Sequence, residues 1–189
     1  VRGELEAFYS RHPLRSGLGK EELRRRLGLG GKEFAALLSA AEAADELRVE
    51  RDRVALPGHS PTLNDGQAKL AQRLRSAIAA AGYSPPTVAE LKQQVPGLDT
   101  EEVIIYLLEQ GEAVRVGDDL IIAAAALEEA VRRTREHLKQ HGKLTVAEFR
   151  DLLGTSRKYA LPLLEWFDEQ RITRRAGEER VPGPQAQLG

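Results

Sequence analysis

The residues best suited to chemistry in this chain of 189 residues lie in the run Gly154-Thr155-Ser156-Arg157-Lys158-Tyr159. Thr155 or Ser156 suits the N-cap of a helix, and a helix start presents free amide donors with a partial positive charge. Arg157 and Lys158 would add two cations to a first turn where acidic side chains are the favourable choice, so an anionic ligand would explain them. A phosphate backbone is such an anion; a capped, solvated helix start is the plainer reading. Tyr159, one turn from the cap, is placed to pack or hydrogen-bond beside a nucleotide. A second basic set, Arg171, Arg174, Arg175 and Arg180, falls on two short β-rich runs. Neighbours along a strand point to opposite faces, so one of Arg174 and Arg175, together with Arg180, can share a ligand with the helix start. Lys143 and Arg150 either extend this patch or belong to a solvated face. Pro162 should be tolerable in a helix that begins at Arg157 or later, and Trp166, beside Phe167, reads as a packing residue.

Other chemistries fail on residue type or spacing. Cysteine is absent, which excludes a disulfide framework, a thiolate metal cluster and a cysteine nucleophile. His137 and His141 are four residues apart, but they lack the glutamate of an H-E-x-x-H pair and Gly142 ends the helix at once. Gly28-Leu29-Gly30-Gly31-Lys32-Glu33 resembles a phosphate loop only superficially: Arg26 occupies the place of its first glycine and Glu33 that of its metal-binding hydroxyl. Arg24-Arg25-Arg26 points around three faces of a helix, as a solvated surface does. Asp118-Asp119 and Glu178-Glu179 are turn residues, and no carboxylate pair is arranged for acid–base catalysis. The expectation is a chain without catalytic residues, cofactor or metal.

The elements that must position the basic run announce themselves by repetition. Thr87-Val88-Ala89-Glu90-Leu91 recurs 58 residues later as Thr145-Val146-Ala147-Glu148-Phe149, with a weaker echo at Gly19-Lys20-Glu21-Glu22-Leu23. Each copy is followed by a turn (Gly28 to Gly31, Pro96-Gly97, Gly154), an apolar segment of helical period, and two short β-rich runs around a charged turn. One more helical stretch precedes each copy: Glu4 to Tyr9, Ala68 to Ala81 and Leu127 to Gln140. Helix, helix, helix, hairpin over about 60 residues describes a winged helix, a helix-turn-helix with an appended wing. The fold class is therefore mostly α with small β-hairpins (α+β), as three tandem winged helices at 1–60, 65–125 and 126–183, with a nondescript tail at 184–189.

Composition adds boundaries. Pro57 to Gly66 is dense in turn residues and reads as a linker that could act as a hinge, whereas Ile121 to Ala130 passes from strand to helix without Gly or Pro and should restrict the last two units mutually. Residues 1–64 hold 11 basic and 10 acidic side chains, 65–125 hold 5 and 9, and 126–189 hold 12 and 10, so the last unit is the best place for a local basic face. No apolar run approaches the about 20 residues a bilayer requires, and no secretory signal is visible, so a cytoplasmic chain without membrane contact is expected. The start at Val1 and the lack of Met suggest a piece of a longer protein.

The stretch Leu144 to Glu165, with Thr173-Arg174-Arg175 and Arg180-Val181 downstream, closely resembles the last winged helix of the bacterial selenocysteine-specific elongation factor SelB family. His12-Pro13-Leu14-Arg15-Ser16-Gly17-Leu18 with Lys20-Glu21-Glu22-Leu23 is similar to an earlier winged helix of that family. The resemblance is strong in the last unit, moderate in the first and loose in the middle. It implies the second, third and fourth of four winged helices, detached from a translational GTPase that carries selenocysteinyl-tRNA. It further implies that the last unit grips the selenocysteine insertion (SECIS) hairpin of an mRNA. Thr155, Ser156, Arg157, Lys158 and Tyr159 would then form the RNA-binding helix start, and Arg174, Arg175 and Arg180 the wing contacts, on a monomeric arm that meets ribosome and tRNA through the full-length factor. A tandem winged-helix DNA-binding regulator and a protein-interaction scaffold are the alternatives that the residues leave open.

Overall fold

The computed structural model describes residues 1–186, so the last part of the expected tail, 187–189, lies outside the described residues. The chain divides into two compact units, Val1–Ala68 and Lys69–Gly189.

In the first unit, α1 (Arg2–Arg11), α2 (Lys20–Leu27) and α3 (Gly31–Ala43) pack on a sheet ordered β1-β3-β2, with β1 at Leu18–Gly19, β2 at Arg48–Glu50 and β3 at Arg53–Ala55. Leu5, Leu18, Leu23 and Val54 have no solvent-accessible surface, which places the core between the three helices and the sheet. The expected linker is partly fastened: His59 stacks on Tyr9 with ring centroids 3.5 Å apart, and its Nε2 donates to the Arg15 carbonyl at 2.9 Å.

The second unit holds two such motifs. The middle one comprises α4 (Asp65–Ala81), whose start belongs to the first compact unit, α5 (Val88–Gln94), α6 (Thr100–Glu109) and the hairpin β4 (Ala113–Val116) with β5 (Leu120–Ala123). The last comprises α7 (Ala124–His141), β6 (Leu144–Thr145), α8 (Val146–Leu153), α9 (Arg157–Glu169), β7 (Thr173–Ala176) and β8 (Glu179–Pro182), with sheet order β6-β8-β7. The winged-helix order is as expected, except that the sheets of the first and last motifs gain a third strand. Strands β1 and β6 have two residues each, too few to show the alternation by which a strand is recognised.

No Gly or Pro separates β5 from α7, and the middle and last motifs share one core. Val116 and Ile122 of the middle hairpin pack in the same cluster as Leu127, Phe149, Leu163 and Phe167, and Trp166 packs partly buried on it. Gly154 ends α8 with φ +64°, a left-handed conformation that costs glycine nothing and turns the chain into α9. Pro162 lies inside α9, which begins at Arg157, so it has no N–H to offer the Lys158 carbonyl one turn back. Among the described residues, no helix is long and apolar enough to cross a membrane.

Candidate nucleic-acid interface

The third helix of each motif follows the turn of its helix-turn-helix, and the three starts differ. In α3, Glu33 stands in the first turn and its carboxylate accepts from the Gly30 amide at 3.1 Å. In α6, Asp99 occupies the N-cap and Glu101 and Glu102 the first turn, with Lys92 paired to Glu101 at 2.8 Å. Each of those starts supplies its own negative charge to the helix dipole. The α9 start has no acidic side chain: Ser156 is the N-cap without a side-chain capping bond, and Arg157 and Lys158 follow. Among the described residues, the amides of Ser156, Arg157 and Lys158 have no hydrogen-bond acceptor, while Tyr159 and Ala160 donate to the Ser156 carbonyl. Amide donors without an acceptor, a positive dipole end and two cations are chemically suited to an anion.

The side chains around it have separate fates. Ser156 and Arg157 are exposed, and Arg157 has no ion partner among the described residues. Lys158 is exposed too, its Nζ 5.0 Å from the centroid of the half-buried Tyr159 ring. Thr155 caps nothing; its hydroxyl donates to the Tyr83 carbonyl of the middle motif at 2.5 Å. On the wing, Arg174 is exposed, and Arg175 Nε donates to the Gly177 carbonyl of its own turn at 3.0 Å. Lys143 is exposed and paired with Glu179 at 2.7 Å, which raises the lysine's pKa. Arg150 is held by Asp151 at 2.6 Å.

Arg180 is not available as a wing contact. It is 4% exposed, and its Nε donates to Asp168 Oδ2 at 3.1 Å, while Asp168 Oδ1 accepts from the Thr173 hydroxyl at 2.5 Å. Its strand position faces inward: Arg180 lies opposite both Leu144 and Arg175, and a charged group there is retained only with a partner. Asp168 escaped the sequence reading because no spacing rule links it to a strand residue 12 positions away.

One signal was legible and unused. The repeated Thr-Val-Ala-Glu is a capping box: Thr145 Oγ1 accepts from the Glu148 amide at 3.2 Å and Glu148 accepts from the Thr145 amide at 2.7 Å, with the same exchange between Thr87 and Glu90. It lowers the pKa of both glutamates through the backbone bond to the threonine. Other sequence candidates take structural roles. The rings of His137 and His141 have centroids 4.4 Å apart, and among the described residues no group of three potential metal ligands forms. Gly28 ends α2, and Arg24 and Arg26 pair with Glu21 and Glu22 on the surface of that helix.

Comparison with known proteins follows this division. Two family models, each described as elongation factor SelB, winged helix, match residues 2–56 and 136–181. The model of the second winged helix of that factor matches the first motif and the model of the third matches the last, and the middle motif lies between the two matched ranges. A selenocysteine-specific elongation factor from Desulfomicrobium baculatum is 29% identical over 180 residues, covering 93% of this chain and 28% of the relative. Its counterpart from Escherichia coli K12 is 26% identical over 183 residues, 94% of this chain and 29% of the relative. The chain thus spans less than a third of either factor. The solved mRNA-binding domain of Escherichia coli SelB in complex with SECIS RNA superposes with a TM-score of 0.54 at 26% identity, covering 64% of this chain and 99% of that one. A bacterial selenocysteine-specific elongation factor, EF-Sec, shares the fold at 20% identity and a TM-score of 0.52, covering 96% of this chain and 28% of that one.

Proposed function

This chain belongs to the winged-helix region of the elongation factor SelB family, and from that premise we propose that it is an mRNA-binding arm whose last motif holds a SECIS hairpin at the start of α9. The observation that carries the reading is the α9 start itself, the one third-helix start without acidic residues among the three. Arg157 and the neighbouring amides take phosphate or loop oxygens, Ser156 lends a hydroxyl, Tyr159 offers a face beside them, and Arg174 reaches from the wing. Lys158 and Arg175 assist from its edges; Lys143 and Arg150, already paired, contribute field more than contact.

A-form RNA hides its base edges in a deep, narrow groove, so recognition falls on loops and extruded bases, for which a small cationic tip suffices. A net charge of −1 suits this better than it suits broad binding to a duplex. The relative solved with SECIS RNA aligns with this chain over 99% of its own length. In this reading the arm has no catalytic activity and acts as a monomer in the cytoplasm. GTP hydrolysis, selenocysteinyl-tRNA and ribosome contact belong to the rest of a longer factor.

Titration of the chain with a SECIS hairpin and with an unrelated hairpin tests the proposal. Arg157→Ala is expected to weaken SECIS binding by about 1–3 kcal/mol, the range of a charge-assisted contact. Equal wild-type affinity for the two hairpins would overturn the reading, and preference for duplex DNA would turn it toward a DNA-binding regulator.

A further inference from the structure

We propose that Thr155 is a positioning residue of the RNA site, its hydroxyl fixed on the Tyr83 carbonyl so that the middle motif aims the amide donors of α9. This deepens the reading above and rests on it. Thr155 precedes the extended Ser156 N-cap, and Lys158 and Pro162, four residues apart within α9, share one helical face. That face turns toward the middle motif. Thr155 Oγ1 is 2.5 Å from the Tyr83 oxygen, and a Cβ on Gly117 of the β4–β5 turn would stand 3.3 Å from Pro162 Cβ. The Lys158 charge also helps to lower the Glu90 pKa, behind the larger effect of the bonds to Thr87.

The acceptor is anchored. The Tyr83 ring packs on the shared core, Arg133 stands 5.8 Å from its centroid, and Glu129 accepts from Arg133 Nε at 2.8 Å. The N-cap is Ser156, whose hydroxyl makes no capping bond, so the amides of this helix start remain open while the residue before the cap is fastened. Donors serve recognition only when held within roughly 0.5 Å of the productive geometry. Ala160, Leu163, Leu164 and Phe167 fasten the other side of α9 in the core, so the Tyr83 contact fixes the end that the core leaves unsecured. Ser156 and Arg157 remain outward.

The test uses the whole chain, the SECIS RNA of the Escherichia coli complex and the same hairpin with a scrambled loop. Thr155→Val, which removes the hydroxyl and keeps the shape, should weaken binding to the intact loop about tenfold, the scale of a lost hydrogen bond. The scrambled hairpin should lose less, the thermal midpoint should fall by no more than about 4 °C, and Thr155→Ser should restore affinity to within about twofold. Tyr83→Leu, which keeps apolar volume, should also weaken binding, and the double variant should be no weaker than the poorer single one. Additive losses would show that the Thr155 hydroxyl does not act through the anchored Tyr83 and would overturn the proposal. So would a Thr155→Val variant of wild-type affinity alongside a weakened Arg157→Ala. An unaffected Arg157→Ala would instead defeat the reading on which the proposal rests.

Discussion

The first and last motifs place different residues at the same point of their sheets. In the first, β1 meets β3 with Leu18 opposite Val54, and both are fully buried. In the last, β6 meets β8 with Leu144 opposite Arg180, and the inward place that valine fills in one motif is taken in the other by a guanidinium paired to Asp168. The apolar solution lets the wing rest on the core. The ionic solution ties the wing to the recognition helix itself, because Asp168 sits near the end of α9 and also holds Thr173 on β7. Buried ion pairs seldom add net stability, but they fix geometry at the cost of fragility. The motif with the open helix start is thus also the one whose wing is locked to that helix.

Breaking the pair is the largest effect that the comparison predicts. Asp168→Ala leaves Arg180 buried without a counter-charge and should cost about 3 kcal/mol. Trp166, the chain's one tryptophan, packs on the core of the last motif and reports its unfolding by fluorescence. Converting the last motif to the solution of the first, Arg180→Val with Asp168→Leu, should recover most of that loss, within about 1 kcal/mol of wild type. A single variant as stable as wild type would mean that the pair is solvated and the contrast with Val54 empty.

The second helices sharpen the comparison at a smaller scale. Thr145 caps α8 in a reciprocal box with Glu148, whereas Gly19 stands at the N-cap of α2 with no side chain to offer. Thr145→Ala should cost about 1 kcal/mol. Conversely, Gly19→Thr sets a threonine three residues before Glu22, and a Cβ there meets nothing within 4 Å, so it should add about 0.5 kcal/mol. Hydrogen exchange of the α2 and α8 amides reads both changes, and a loss of protection in α2 would refute the second.

The three motifs were legible because their signals are local. The Thr-Val-Ala-Glu repeat, the glycine at 154 and the helical spacing of Val103, Ile104 and Leu107 all act within a few residues. The cationic helix start was legible for the same reason. What escaped depends on distant contacts. Arg180 looked like an exposed wing cation because its burial is set by pairing with β6 and by Asp168, and Thr155 looked like a cap because its acceptor lies 72 residues away. A basic residue declares its charge in sequence, but whether the charge reaches solvent is decided by register and tertiary packing.

The smallest predicted effect separates the two compact units by their acidic titration. In the first unit the pKa of Glu21 is lowered by its hydrogen bond to Arg24. The second unit has Glu90 and Glu148 lowered by their capping threonines, Glu112 by Arg75, and Glu129 brought to about 2 by Arg132 and Arg133. A carboxylate whose folded pKa lies below its unfolded one makes the folded state bind fewer protons. Its contribution is complete above the ordinary value of 4.5 and disappears as pH falls through the folded value, which for Glu129 means toward about 2. Glu21, Glu112 and Glu148 are exposed and Glu90 and Glu129 half-buried, so solvent screens each of them and salt screens them further. Glu129 nevertheless holds the Arg133 that lies over Tyr83, so its protonation loosens the support beneath Thr155. Acidification below about pH 4 should therefore weaken hydrogen-exchange protection in the second unit more than in the first, with the Tyr159 and Ala160 amides, bonded to the Ser156 carbonyl, among those affected. Equal loss in both units would show that the capping boxes and the Glu129 cluster do not distinguish them, and would leave the Thr155 contact independent of the charges behind it.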